Sequence, residues 1–146
     1  MSLKDKLMQD LKVAMKEKDK IKKSVITMIR ASIKQYEVDN RTDIDEEGIM
    51  ELIAKQLKQR RDAIIEFEKG NRQDLVEETQ KEIEVLLGYL PKQLTEDEIR
   101  EIVKSTIDEL GAQGPKDMGK VMGALMPKLK GKADGKLVSK AVKELL

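Results

Sequence analysis

The chain has 146 residues, of which 39% are charged and 39% hydrophobic, with 29 bases against 28 acids, no cysteine and no histidine. That length suits one domain or two small ones. Without cysteine there are no disulfides and no thiolate chemistry, and without histidine the commonest general base and metal ligand near neutral pH is missing, which argues against triads and metal hydrolases.

Leu, Ile, Met, Glu and Lys dominate, and no segment alternates with period two, so the chain reads as all-α. Ser2 is placed to cap a first helix with Leu3, Leu7, Leu11 and Ala14 on one face. After the charged break at 16–20, Asp19 caps a second helix with Ile21, Val25, Met28 or Ile29, and Ile33 inward, ending near Asp39-Asn40. The short connection makes these two helices antiparallel neighbours. A third, long helix runs from about Asp45 to Lys69 on a stripe of Ile49, Leu52, Ile53, Leu57, Ile64 and Phe67. Arg60 falls on that apolar face, either as a salt-bridged or snorkelling residue at a packing edge or as a residue facing a partner. Gly70 reads as a left-handed stop.

Asn71 is expected to cap a fourth helix, 72–87, with Leu75, Val76, Ile83, Leu86 and Leu87 apolar. Its acids (Asp74, Glu77, Glu78, Glu82, Glu84) read as a solvated face in preference to a metal site. Gly88-Tyr89-Leu90-Pro91 breaks the pattern, because the Pro91 ring disfavours helix at Leu90. The boundary is drawn there, giving an N-terminal four-helix region (1–90) and a C-terminal three-helix region (91–146). Thr95 and Glu98 form a capping box for a fifth helix that buries Ile99, Ile102, Val103, Thr106, Ile107 and Leu110 and stops at Gly111. Pro115 opens a sixth helix on Met118, Val121, Met122 and Leu125, limited by Pro127. A basic loop follows, and Asp134 caps a last helix on Leu137, Val138, Ala141, Val142 and Leu145.

Charge is segregated along the chain. Residues 71–110 hold 5 bases and 11 acids, whereas 116–146 hold 8 lysines and 3 acids. Six of the nine glycines lie from Gly111 onward. GKADGK and DMGKVMG do not make a phosphate loop, which needs four residues between its glycines and a preceding strand. A general anion surface fits better. Lys128, Lys130 and Lys132 are placed in one loop beside the start of the last helix, and Lys116 and Lys120 share a face. A solvated lysine-rich surface is the competing reading. Aromatic residues are confined to Tyr36, Phe67 and Tyr89, and the basic segment has no arginine, so contact would be with phosphate and shape and not with stacked or bidentately read bases. Met118, Met122 and Met126 are either core or an adaptable partner groove. The charged N-terminus lacks the apolar core of a signal peptide and no apolar run approaches a membrane span, so a soluble cytoplasmic protein with no membrane contact is expected.

Gln59-Arg60-Arg61-Asp62, Gly70-Asn71-Arg72, Glu82-Ile83, Tyr89-Leu90-Pro91-Lys92-Gln93-Leu94, Asp117-Met118-Gly119-Lys120-Val121-Met122 and Lys130-Gly131-Lys132-Ala133-Asp134-Gly135-Lys136 together resemble the YqeY-like family over nearly the whole chain. That family is similar to the C-terminal tail of the B subunit (GatB) of tRNA-dependent amidotransferases and to a module fused to some glutaminyl-tRNA synthetases. The resemblance implies two helical subdomains, the second a GatB/YqeY-type bundle, and a non-catalytic tRNA-binding role in support of amidation or aminoacylation. The implied partners are tRNA and an aminoacyl-tRNA synthetase or amidotransferase. Lys116, Lys120, Lys128, Lys130, Lys132 and Lys136 are the candidate phosphate contacts, and Gly119 and Gly131 would let a backbone approach closely. No catalytic residue, metal or cofactor is expected. A carbon–nitrogen ligase label would belong to the larger enzyme, of which this chain would be an accessory part; a protein-interaction module without RNA binding is the other alternative.

Overall fold

A computed structural model describes residues 2–129 and 131–146. Its described residues form seven α-helices and no strand: α1 (Leu3–Glu17), α2 (Lys20–Asn40), α3 (Glu46–Lys69), α4 (Gln73–Leu87), α5 (Glu96–Leu110), α6 (Met118–Leu129) and α7 (Gly135–Leu145). A 3-10 turn, Pro115–Asp117, leads into α6. The chain divides into two compact units, Met1–Leu90 and Pro91–Leu146.

In the first unit α1 packs on α2 and α3 on α4, and α2 lies against both α3 and α4. Leu7, Val25, Ile26, Ile29, Ile53 and Leu86 are wholly buried where these helices meet. Two glutamate side chains bind backbone near the helix starts: Leu3 N–H donates to Glu46 Oε1 at 2.7 Å, and Ile44 N–H donates to Glu37 Oε2 at 3.0 Å. The first satisfies an N–H in the first turn of α1, which has no acceptor within the helix, and the second a donor in the turn before α3. In the second unit α5, α6 and α7 pack pairwise around Ile99, Val103, Val121, Leu125 and Val142, all wholly buried.

The caps follow the sequence where side-chain chemistry decides them. Ser2, Asp19 and Asp45 accept from the backbone N–H three residues on, and Thr95 with Glu98 completes a capping box. The helix ends were harder to read. Gly70 is not left-handed (φ −87°); Asn71 is, at φ 55°. Arg72 N–H bonds to the Phe67 carbonyl and Asn71 N–H to that of Glu68, a Schellman closure with asparagine in the left-handed position. Asn71 is thereby committed to ending α3 and does not cap α4, whose cap residue Arg72 makes no side-chain cap bond and instead pairs with Asp74 at 3.1 Å. Lys18 and Arg41 are also left-handed at the ends of α1 and α2.

Two further expectations are corrected. Pro127 lies inside α6, which continues to Leu129. Within the last turn the proline deprives only the Gly123 carbonyl of its helical partner. Burying Leu129, which is 3% exposed, contributes about 1.5–3 kcal/mol, comparable to the roughly 3 kcal/mol a proline costs in a helix interior. Leu137 is 38% exposed, whereas Val138, Ala141 and Val142 carry the buried face of α7.

Candidate nucleic-acid interface

The candidate residues lie on α6, the turn before it and the start of α7. Lys116 is exposed on the 3-10 turn, and Gly119 and Lys120 are exposed in the first turn of α6. The spacing 116, 120 and 123 puts both lysines and Gly123 on one side of the helix. Met118 and Met122 are half-buried against the core while Met126 is 45% exposed, so the methionines divide between core and surface.

The basic loop is shorter than the sequence suggests. Lys128 stands in the last turn of α6, with Nζ 3.8 Å from Glu109 Oε2, and Lys136 stands in the first turn of α7. Lys132 is exposed on the intervening turn, and Lys130 lies outside the described residues. This turn is tied to the segment before α5. Gln93 Nε2 donates to the Gly131 carbonyl at 2.7 Å, and Leu94 N–H donates to the Lys132 carbonyl at 2.8 Å. Gly131 has φ +74°, so its glycine is demanded by the turn itself. At the start of α7, Asp134 Oδ1 already accepts from Lys136 N–H at 3.0 Å, placing a carboxylate where an anionic ligand would have to approach.

Gly119 and Gly123 are different. Their backbones are helical, and a Cβ added at either would meet nothing within 4 Å. Neither glycine is required by packing inside the chain, and each costs about 1 kcal/mol relative to alanine in a helix. That leaves a bare, exposed strip of backbone flanked by Lys116 and Lys120. Neither lysine forms an ion pair with a described carboxylate, and the same holds for Lys132.

Sequence reasoning overlooked the acids that face this unit's other bases. Arg100 pairs with Glu144, and Lys140 Nζ lies 3.8 Å from Glu96 Oε1. Residues 91–146 hold eleven bases and nine acids, so the unit is polarised, with α5 acidic and the α6–α7 segment basic. The acid-rich first turn of α5 (Glu96, Asp97, Glu98) was the signal for this. The described residues contain no cluster of three or more acids able to hold a metal ion, and none of their helices is long and apolar enough to cross a membrane.

In the first unit, Arg60 is resolved as a packing-edge residue. Its side chain is 9% exposed, Nε lies 3.8 Å from Glu82 Oε2, and Nη1 donates to the Gln56 carbonyl at 3.4 Å.

Several proteins named "Altered inheritance of mitochondria protein 41, mitochondrial" are similar to this chain. The one from Lachancea thermotolerans is 41% identical over 113 residues, covering 75% of this chain and 60% of that protein. That from Kluyveromyces lactis is 43% identical over 84 residues (57% and 45%), and that from Pyrenophora tritici-repentis 37% identical over 144 residues (97% and 79%). The chain thus spans between about half and four-fifths of the length of these relatives. Their names place them in mitochondria, which overturns the cytoplasmic expectation. The charged N-terminus argued only against an apolar export signal; organelle transit segments are themselves charged and amphipathic, so early charge does not identify a compartment. The family model described as "Yqey-like protein" matches residues 4–146, and with that match spanning both helical units the chain belongs to the YqeY-like family.

Proposed function

We propose that the second unit is a non-catalytic tRNA-binding module that supports tRNA-dependent amidation or aminoacylation. The observation that carries this reading is the bare glycine strip of α6, Gly119 and Gly123, between lysines that have no ion-pair partner among the described residues. Small residues let a phosphate backbone come close to the helix, and unpaired ammonium groups release counterions when they meet it. Lys116, Lys120 and Lys132 are the primary phosphate contacts. Lys128 is secondary, because Glu109 competes for it. The partners are tRNA and a synthetase or amidotransferase, and any carbon–nitrogen ligase activity resides in that partner.

The test is tRNA affinity measured across a salt series, with an unstructured RNA of equal length as control. Reversing Lys116, Lys120 and Lys132 to Glu is expected to weaken tRNA binding more than about tenfold and to flatten the salt slope by about two to three. Unchanged affinity and slope would overturn the reading in favour of a protein-interaction module, whose complex with its partner would survive nuclease and high salt.

A further inference from the structure

Between α1 and the second half of α2 the first unit has an open groove of about 620 Å³ that the tRNA reading does not use. Leu7 and Ile33, both buried, form its floor, and Met8 and Ala31, both exposed, form its apolar lips. Thr27 and Glu37 mark its two ends on α2, about 15 Å apart at the helical rise. That length is three helical turns.

The charges around this groove do not cancel. Lys4, Arg30 and Lys34 line it together with Asp5 and Glu37. Lys4 Nζ and Glu37 Oε2, 2.6 Å apart, neutralise each other at one end. Continuing the walls away from that pair at helical spacing adds Lys23, one turn before Thr27, and Lys12, one turn after Met8, both exposed. The face then holds five bases against two acids, and residues 20–36 of α2 hold five bases and no acid. Lys12, Lys23, Arg30 and Lys34 form no ion pair among the described residues. Arg30 and Lys34 stand four apart on one helix face, where like charges repel. No described carboxylate relieves that repulsion, and Met8 and Met15, two turns apart on the α1 lip, stay 40% and 49% exposed.

The floor decides which partner fits so basic a face. A phosphate backbone has no apolar group to lay on Leu7 and Ile33, and a bilayer surface meets protruding side chains, not a recessed floor. An amphipathic helix supplies both halves. Apolar side chains at every third or fourth residue enter the groove, and flanking carboxylates meet bases that recur with helical spacing at 23, 30 and 34. A second copy of this chain does not offer such a helix, since α4 and α5, the most acidic of the described helices, commit their apolar faces to their own cores. We infer that the α1–α2 groove docks an acid-rich amphipathic helix of a partner protein. Its apolar side chains lie on Leu7, Met8, Ala31 and Ile33, and its carboxylates meet Lys23, Arg30 and Lys34. The site belongs to the first unit and stands whether or not the α6 strip binds tRNA.

The test is an amide-shift titration of the full ¹⁵N-labelled chain with a synthetic helical peptide of about four turns, with Leu at every third or fourth residue and Glu beside each. The controls are a scrambled peptide of the same composition, a single-stranded RNA, and vesicles of phosphatidylcholine with phosphatidylserine. The helical peptide should give saturating shifts centred on Met8, Thr27, Ala31 and Lys34, at an affinity about tenfold or more above the scrambled one. Arg30→Glu combined with Lys34→Glu should weaken it at least about tenfold and remove most of its salt dependence. Ala31→Gln changes no charge but narrows the groove, and should weaken it about fivefold. All three positions are exposed, so the melting curve should hold. A titration that does not saturate, equal binding of the scrambled peptide, or binding that survives both variants would overturn the inference. RNA or vesicles acting more tightly at the same residues would overturn it in favour of a polyanion surface. Concentration-dependent shifts there without peptide would overturn it in favour of a second copy.

Discussion

The two units use glycine in opposite ways. In the first, Gly48 sits at the start of α3 where an added Cβ would stand 2.7 Å from Ile44 Cγ1 and 3.0 Å from Asp45 Oδ1. Ile44 is itself buried, so its side chain cannot swing clear. In the second, Gly119 and Gly123 face open space. Polar burial follows the same division: the first unit encloses Gln56, Arg60 and Thr79, the second only Thr106 among the described residues. The unusual residues of the first unit answer to contacts inside the chain. The helical glycines of the second have no such contact, so their cost is left to be explained by something outside it.

Each unit stands on its own core. Leu125 is wholly buried among α5, α6 and α7, and Leu125→Ala should cost about 2–5 kcal/mol. In so small a unit that loss is comparable to its whole stability. Hydrogen exchange should then show lost protection throughout α5–α7. If α1–α4 lose protection to the same degree, the division into two units fails as an energetic statement.

The glycines give a sharper test with a smaller effect. Gly48→Ala should destabilise the first unit by about 1–2 kcal/mol, because the clash with Ile44 outweighs the roughly 1 kcal/mol that alanine gains in a helix. Gly119→Ala and Gly123→Ala should each stabilise the second unit by about 0.5–1 kcal/mol, since no contact opposes them. The doubly substituted protein should nonetheless bind tRNA more weakly, as methyl groups lift the phosphate backbone off α6. A melting temperature that rises with Gly48→Ala, or falls with Gly119→Ala, would reverse the contrast.

These contrasts also show what the sequence discloses. Period and capping chemistry are local, so the helices and the caps Ser2, Asp19 and Thr95 could be read directly. Helix ends depend on which residue accepts a left-handed backbone, and Lys18, Arg41 and Asn71 take it without being glycine. The spacing of a helical pattern cannot show that. Pro127 inside α6 was obscured for a related reason: the burial of Leu129, a tertiary fact, offsets a local penalty. At the candidate site, the lysines could be counted but their partners could not. Glu109 reaching Lys128 and Glu96 reaching Lys140 join residues distant in sequence, and they separate engaged lysines from Lys116, Lys120 and Lys132. The Tyr89 hydroxyl likewise finds its acceptor in Asp10, 79 residues away in sequence.

Arg60 supplies a smaller effect inside the first unit. Its Nε has no hydrogen-bond partner and Glu82 stands 3.8 Å away. Glu82→Gln removes the nearby counter-charge from a nearly buried guanidinium and should cost roughly 1 kcal/mol, less than a close buried pair because the separation is long. Arg60→Met should be neutral or slightly stabilising, since it removes the desolvated charge together with its unsatisfied donor. Urea denaturation of both variants measures the difference. A large loss from Arg60→Met would show that the guanidinium contacts are worth more than its desolvation costs.

The smallest expected effect is a pH dependence confined to the first unit. Glu37 accepts from Lys4 Nζ at 2.6 Å and from Ile44 N–H at 3.0 Å, and these bonds, that of Lys4 foremost, hold its carboxyl below the usual range. A carboxyl with a folded pKa below its unfolded one binds fewer protons when folded. Its contribution is therefore complete above the unfolded value, near 4.5, and disappears as pH falls through the folded one. Glu37→Gln should accordingly lower the melting temperature slightly at neutral pH and make the acid limb less steep. The second unit's helices, followed by hydrogen exchange, should keep their acid response. Because the Lys4 pair is partly solvent-exposed, added salt should shrink the difference between the two proteins, whereas the Ile44 bond should persist. An acid limb that stays parallel to the parent's would place the contribution of Glu37 in packing instead of charge.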